Sequence, residues 1–176
     1  MPSTRSRLTV ALQVASPVAR LLRQEFGSRW RPHLKYAFQQ AIDALTATEP
    51  HPPAGELSLY LTTDLEMRAL NNLYRGIEHT TDVLSFNYSA HAAENPETPA
   101  GEIIISVETA QRQAPLNQHD LLTELLMLAL HGTLHVMGYD DSTEAGRATM
   151  NARAASVLRQ LGYAAHDEWY SQYENA

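Results

Sequence analysis

The sequence contains no cysteine, and this absence narrows the possible chemistry before any motif is considered. Disulfide bonds, thiolate metal sites and cysteine nucleophiles are all excluded. A metal site in this protein therefore has to be built from nitrogen and oxygen ligands. The chain of 176 residues has the length of one ordinary domain, which can bury a core without covalent cross-links. We predict a single domain over residues 1–176.

The sequence also lacks a long apolar run. No stretch approaches the roughly 18 consecutive apolar residues that a membrane-spanning helix requires. Arg5 and Arg7 precede an apolar stretch, as they would in a signal peptide. However, apolar and polar residues alternate over residues 8–14, and this alternation favours a first β-strand. We therefore predict a cytoplasmic protein with no membrane partner.

Basic residues are scarce overall but concentrated near the N-terminus. The formal net charge of −7 argues against a general electrostatic binder of nucleic acid, because such proteins contact many phosphates through Lys and Arg. Residues 1–35 nevertheless carry +6, against −13 in the remainder. This segment is either a solvated, arginine-rich helix or a local basic surface. Its basic residues are Arg5, Arg7, Arg20, Arg23, Arg29, Arg31 and Lys35.

Hydrophobic spacing predicts an α+β fold around one core, with a mixed four-stranded sheet packed with helices. The predicted strands cover residues 8–14, 57–61, 82–88 and 101–106, and the predicted helices cover 29–47, 63–73, 120–137 and 142–161. The helix over 120–137 is apolar almost all round, which indicates a buried central helix. Residues 89–100 show no period, so we predict a loop or insertion there.

The sharpest chemical signal is the segment HGTLHVMGYDD, at residues 131–141. His131 and His135 are four residues apart, so on a helix both imidazoles lie on one face and can reach one ion. Inside an otherwise apolar helix, two unpaired polar rings would each cost free energy, and a shared metal ion would explain both. The sequence therefore predicts a metal site on the central helix.

A third ligand is expected just after this helix. Gly138 can take the left-handed conformation that ends a helix and turns the chain back. Asp141, six residues after His135, is then best placed to supply a carboxylate oxygen. Three protein ligands leave a fourth position open, as in catalytic zinc sites. Asp140 either holds the turn through backbone amides, which we favour, or competes with Asp141 for the metal.

Other polar residues allow two interpretations. Glu124 lies seven residues before His131 on the same helical face, so it is either a partner that orients an imidazole or a buried hydrogen-bonded carboxylate. The second interpretation is the commoner one. His79 and His119 are predicted to lie in loops or at helix caps.

The segment HGTLHVMGYDD resembles the hallmark of the YbeY family of bacterial endoribonucleases, H-G-x-L-H-x-x-G-Y-D-H. The resemblance extends to LNNLYRG at residues 70–76, TDVLSF at residues 81–86 and GEIIIS at residues 101–106. These segments occur in the same order over about two-thirds of the chain. Their combination is more specific than any one of them.

The resemblance implies a zincin-like fold with one zinc ion per chain and a zinc-dependent endoribonuclease. It implies cleavage of single-stranded rRNA in maturation of the 16S rRNA 3′ end and in ribosome quality control. The implied partners are the small ribosomal subunit, ribosomal proteins and an assembly GTPase. It further implies catalytic roles for Arg75, His131 and His135. From the residues alone, the favoured interpretation of Arg75 is a surface ion pair with Glu78.

Two positions depart from the family pattern. Asp141 stands where the family has its third histidine, and a carboxylate ligand would make the metal a weaker Lewis acid. Before the third strand, Glu78, His79 and Thr80 replace the usual basic residue and proline, which predicts weaker phosphate binding there.

Two other functions are compatible with the motif. A zinc peptidase has the same histidine spacing, but it needs a glutamate directly after the first histidine, where this chain has Gly132. A non-catalytic ribosome assembly factor would keep zinc mainly for structure, and it would then lose much of its stability to a chelator.

Overall fold

The computed structural model describes residues 7–92, 94–95 and 97–171, and within them four strands form one mixed sheet. The strands are β1 (Leu8–Val14), β2 (Gly55–Thr62), β3 (Val83–Asn87) and β4 (Gly101–Ser106), in the spatial order β1-β2-β4-β3. β1, β2 and β4 run parallel, whereas β3 pairs antiparallel with β4 and forms one edge of the sheet. The predicted α+β class and mixed four-stranded sheet are confirmed.

The four predicted helices are all present, with ends shifted by at most two residues. The helices of the described chain are α1 (Ser16–Phe26), α2 (Trp30–Thr46), α3 (Asp64–Arg75), α4 (Ser89–Ala92), α5 (Val107–Gln113), α6 (Leu121–Val136) and α7 (Glu144–Gln160), with a short 3-10 helix at Pro115–Asn117. Sequence spacing gave no bounds for α1, although an arginine-rich helix was one interpretation of this segment, and it missed α4 and α5. α1 buries only Val18 and Leu22, and α4 and α5 are too short to show a helical period. No helix among the described residues is long and apolar enough to cross a membrane.

The sheet packs against helices on both faces. On one face, residues such as Leu59, Ile103 and Ile105 join the main core with the buried sides of α2 and α6. On the other face, Leu84 and Ile104 form a second cluster with residues of α3. α6 is therefore enclosed, as its apolar sequence predicted, and each of its fully buried leucines contributes about 1.5–3 kcal/mol.

Defined caps fix both ends of α6. At its start, the Asp120 side chain accepts a hydrogen bond from the backbone N–H of Thr123 at 2.7 Å. At its end, Gly138 takes a φ of 93°, and the Tyr139 N–H donates to the carbonyl of Leu134 at 3.0 Å. The chain therefore reverses directly after His135, as predicted.

The glycine between the two histidines sets how closely α6 approaches β4. A Cβ atom at Gly132 would lie 2.9 Å from Cγ2 of Ile103, whose side chain is fully buried. Such a distance is shorter than a normal carbon–carbon contact. Position 132 therefore has no room for a side chain unless the sheet and helix separate.

We expect Gly132→Ala to lower the free energy of unfolding by about 1 kcal/mol or more, because overpacking a rigid core costs more than removing a helical glycine gains. Denaturant unfolding of the two proteins measures this difference. Equal or greater stability of the variant would contradict the close contact between α6 and β4.

Candidate metal centre

α6 presents both histidines on one face. His131 is buried and His135 is half-buried, and their Nε2 atoms lie 3.1 Å apart. The rings meet at an interplanar angle of 83°, with centroids separated by 4.7 Å. The histidines therefore point at one common position, as the four-residue spacing predicted.

The turn after α6 brings a carboxylate to the same position. Oδ2 of Asp141 lies 3.2 Å from Nε2 of His131 and 3.1 Å from Nε2 of His135. Asp140 points elsewhere, because its Oδ1 accepts from the backbone N–H of Ser142 at 2.9 Å and its Oδ2 from the Ser142 hydroxyl at 2.6 Å. Asp140 thus holds the turn, which is the role that we favoured for it.

The spacing of these three atoms suits a small metal ion. Bonds of about 2.0–2.1 Å at tetrahedral angles separate two zinc ligands by about 3.3 Å. The three observed separations are close to this value, and the described part of the chain contains this group as a candidate metal-binding cluster. We call His131, His135 and Asp141 the metal triad.

A backbone contact fixes the orientation of the His135 ring. Its Nδ1 lies 3.0 Å from the carbonyl oxygen of Tyr139, which only accepts, so Nδ1 carries the proton. In the neutral ring, Nε2 then has a free lone pair directed at the triad. Hydrogen bonds of this kind commonly orient metal-binding histidines.

The electrostatics of the triad favour the protonation states that metal binding requires. The hydrogen bond with His131 and the nearby His135 ring hold the pKa of the Asp141 carboxyl well below its usual value. Burial lowers the pKa of His135, and the neighbouring His131 lowers it further. An ionised carboxylate and a neutral imidazole are the ligand forms that bind a divalent cation.

The metal triad lies in the wall of a cleft of about 630 Å³. Arg75, the last residue of α3, lines the same cleft from the other side of the edge strand β3. Its side chain is exposed, and no acidic residue within the described ranges forms an ion pair with it. The alternative pairing of Arg75 with Glu78 is therefore not formed.

Known proteins resemble this chain over most of its length. The family model described as Endoribonuclease YbeY matches residues 23–162. The endoribonuclease YbeY of Moorella thermoacetica is 42% identical over 133 residues, which cover 70% of this chain and 83% of that protein. The endoribonuclease YbeY of a Picosynechococcus species is 42% identical over 137 residues, covering 75% and 82%. The chain belongs to the YbeY family.

A solved structure supports the same fold. The solution structure of TM1509 from Thermotoga maritima has a TM-score of 0.55 and 18% sequence identity, and the match covers 88% of this chain and 91% of that one. At this identity, the likeness concerns the fold alone.

Two residues of this YbeY-family cleft were not singled out from the sequence. Arg147, from α7, lines the cleft and donates from Nη1 to the backbone carbonyl of Asp141 at 3.0 Å. Asp82 is 2% exposed, and burial raises the pKa of its carboxyl. Its position at the start of TDVLSF was visible in the sequence, whereas nothing local marked Arg147.

Glu124 matches the second interpretation given for it, a buried hydrogen-bonded carboxylate. Its Oε1 accepts from Gln113, Asn117 and the indole N–H of Trp169, and its Oε2 lies 2.8 Å from Nδ1 of His119. His119 lies in a loop, as predicted, but it is buried. The Trp169 ring lies 5.3 Å from the His131 ring, so Glu124 supports one side of the metal triad through that indole.

The basic residues near the N-terminus do not line the cleft. Those within the described ranges are exposed, and they are Arg7, Arg20, Arg23, Arg29, Arg31 and Lys35. Arg7 pairs with Asp43, and Arg5 lies outside the described residues. The structure therefore brings Arg75 and Arg147, rather than this segment, to the cleft that the metal triad lines.

The neighbouring carboxylates of the turn allow a matched test of metal binding. We expect Asp141→Asn to lose stoichiometric metal, because a neutral amide is a far weaker ligand than a carboxylate. Asp140→Asn should keep the metal, since its amide oxygen can still accept from Ser142. Elemental analysis of both purified variants gives the answer. Full metal content in Asp141→Asn would show that Asp141 is not the third ligand.

Proposed function

We propose that this member of the YbeY family is a zinc-dependent, single-strand-specific endoribonuclease that acts in 16S rRNA 3′-end maturation and ribosome quality control. One observation carries the proposal: three ligand atoms converge in the wall of an open cleft that also presents Arg75. RNA as the substrate agrees with the endoribonuclease activity for which the relatives are named. The small ribosomal subunit, ribosomal proteins and an assembly GTPase stay predicted partners, and the cytoplasm stays the predicted location.

The donor set fits one zinc ion, held by His131, His135 and Asp141. When bound, this zinc would polarise a phosphoryl oxygen and lower the pKa of water for hydrolysis of the phosphodiester. Arg75 would bind a phosphate oxygen and offset the negative charge that builds up in the transition state. A guanidinium suits this role because it stays charged and offers several donors.

Asp141, which stands where the family has its third histidine, lies beside a positively charged side chain. A carboxylate adds one negative charge that would repel the RNA backbone. The guanidinium of Arg147 contacts the backbone of the same residue and lies in the same cleft. Arg147 therefore places a positive charge in the cleft beside Asp141.

The alternatives are less well supported. A peptidase would need a glutamate at position 132, where even a Cβ atom would contact Ile103. A purely structural zinc normally has four protein ligands enclosed by the fold, whereas the metal group of the described residues has three and lines a cleft. Both observations favour a catalytic site.

The role of the metal triad is tested by RNA cleavage. We expect purified protein to cut single-stranded RNA and the double variant His131→Ala, His135→Ala to lose this activity together with its metal. His51→Ala, which changes an exposed histidine outside the cleft, should cut normally. Equal cutting by the double variant would remove the metal from the reaction and indicate a contaminating nuclease.

The role of Arg75 is tested by comparing two arginines of α3. We expect Arg75→Ala to reduce kcat by about a hundredfold or more, the loss typical when a donor to transition-state charge is removed. Arg68→Ala should leave kcat unchanged, because Arg68 is exposed on the same helix but does not line the cleft. Steady-state kinetics on a labelled RNA measures both. If the two changes reduce kcat to a similar extent, Arg75 contributes only general electrostatic attraction of RNA and does not stabilise the transition state.

A further inference from the structure

Three aromatic rings form a continuous row beside Arg75. The rings of Tyr74 and Phe86 meet edge to face at 4.9 Å between centroids, with an interplanar angle of 60°. Phe86 and Tyr88 are parallel within 6°, at 6.3 Å. We call Tyr74, Phe86 and Tyr88 the aromatic row. It runs from the end of α3 to the end of β3.

The aromatic row is continuous with the cleft that contains the metal triad. Phe86 lines that cleft, and Tyr74 directly precedes Arg75 in the chain. Because side chains alternate along a strand, Leu84, Phe86 and Tyr88 share the α3 face of the sheet. Phe86 therefore joins the aromatic row to the cleft that Arg75 and the metal triad also line.

The aromatic row is partly exposed, because Tyr74 is exposed and Phe86 and Tyr88 are half-buried. Tyr74 is 58% exposed and its neighbour Leu73 is 73% exposed, whereas Phe86 packs on a buried cluster that includes Met67, Leu84 and Ile104. Apolar surface at a cleft mouth costs free energy in water unless a ligand covers it. A supported ring with an open side can stack with little loss of conformational freedom on binding.

The charges at the two ends of the aromatic row indicate where a phosphate can bind and where only a neutral group can lie. Arg75 lies at the Tyr74 end, where a phosphate can bind. At the other end the Tyr88 hydroxyl donates to Oε2 of Glu102 at 3.2 Å, and this carboxylate would repel a phosphate. The row itself thus suits neutral, flat groups attached to a phosphate chain. Unpaired nucleobases have this chemistry, and they stack on aromatic side chains with little dependence on sequence.

We propose that the aromatic row is a stacking subsite for unpaired bases of single-stranded RNA next to the phosphate bound by Arg75. The proposal rests on the proposed function for the choice of RNA. It also gives a physical reason for single-strand specificity, because paired bases stack within their own helix and cannot offer their faces to Tyr74 and Phe86.

The test compares two tyrosines of similar exposure. Tyr74 is 58% exposed in the aromatic row, and Tyr36, on α2, is 65% exposed and does not line the cleft. We expect Tyr74→Ala to weaken binding of a fluorescein-labelled, single-stranded RNA decamer about tenfold, within the range for loss of one stacked base. Tyr74→Phe and Tyr36→Ala should bind like the unchanged protein. Fluorescence anisotropy measures the affinities, with the probe checked on a gel for integrity.

A second probe separates stacking from charge. An abasic sugar-phosphate decamer keeps the phosphates and lacks the bases, so Tyr74→Ala should bind it as well as the unchanged protein does. The same penalty on this probe, or an equal penalty from Tyr36→Ala, would overturn the proposal. If melting shows that Tyr74→Ala is unfolded, Tyr74→Leu replaces it, with the same expected loss.

The outcomes also separate this proposal from the proposed function. If the protein cuts RNA and Tyr74→Ala binds the decamer normally, the stacking subsite is wrong and the nuclease stands. If the protein does not cut RNA but Tyr74→Ala still binds more weakly, the nuclease is wrong and the subsite stands. In steady-state cleavage, loss of stacking should raise KM with little change in kcat.

Discussion

The close packing of α6 on β4 is the contact on which the site depends. Gly132 lets the helix approach Ile103, and burial of the surrounding leucines keeps it there. His131 and His135 are consequently held in a rigid helix, with little freedom to change the distance between their Nε2 atoms. The caps at Asp120 and Gly138 then fix where the helix ends, which determines where Asp141 lies. The geometry of this candidate metal centre therefore depends on core packing as much as on the three side chains themselves.

Much of this arrangement could be predicted from local sequence signals. Three local features define most of the candidate site: the spacing of His131 and His135, the apolar helix around them and the turn at Gly138. Each depends on residues close in sequence, so hydrophobic periodicity and turn chemistry were sufficient to predict them. The same holds for β4, because its run of β-branched residues indicated a strand. Asp140 and Asp141 are adjacent in sequence, yet the turn just after the helix directs only Asp141 back to the histidines, as the sequence predicted, while Asp140 holds the turn.

The remainder depended on contacts between distant parts of the chain. Arg147 reaches the cleft because α7 packs beside α6, and no pattern around residue 147 indicates this. The aromatic row likewise requires α3 and β3 to be neighbours, so Tyr74 and Phe86 looked like ordinary apolar residues. The N-terminal basic residues show the opposite case, because their charge is evident in the sequence but those within the described ranges do not line the cleft. The positions of charged and aromatic residues in the sequence therefore did not show which of them share a site. Tertiary packing determined that.

The buried carboxylate of Glu124 joins the central helix to a segment far along the chain. It accepts from Trp169, whose ring lies against His131, and Asn151 donates to the carbonyl of the same tryptophan at 2.8 Å. A peptide copied from residues 121–147 would carry all three ligands but would lack this indole and the sheet. Transferring this motif to another helix and turn would therefore not transfer the site. The three ligand atoms would be present, but the surrounding core that holds them at metal-binding distance would be absent.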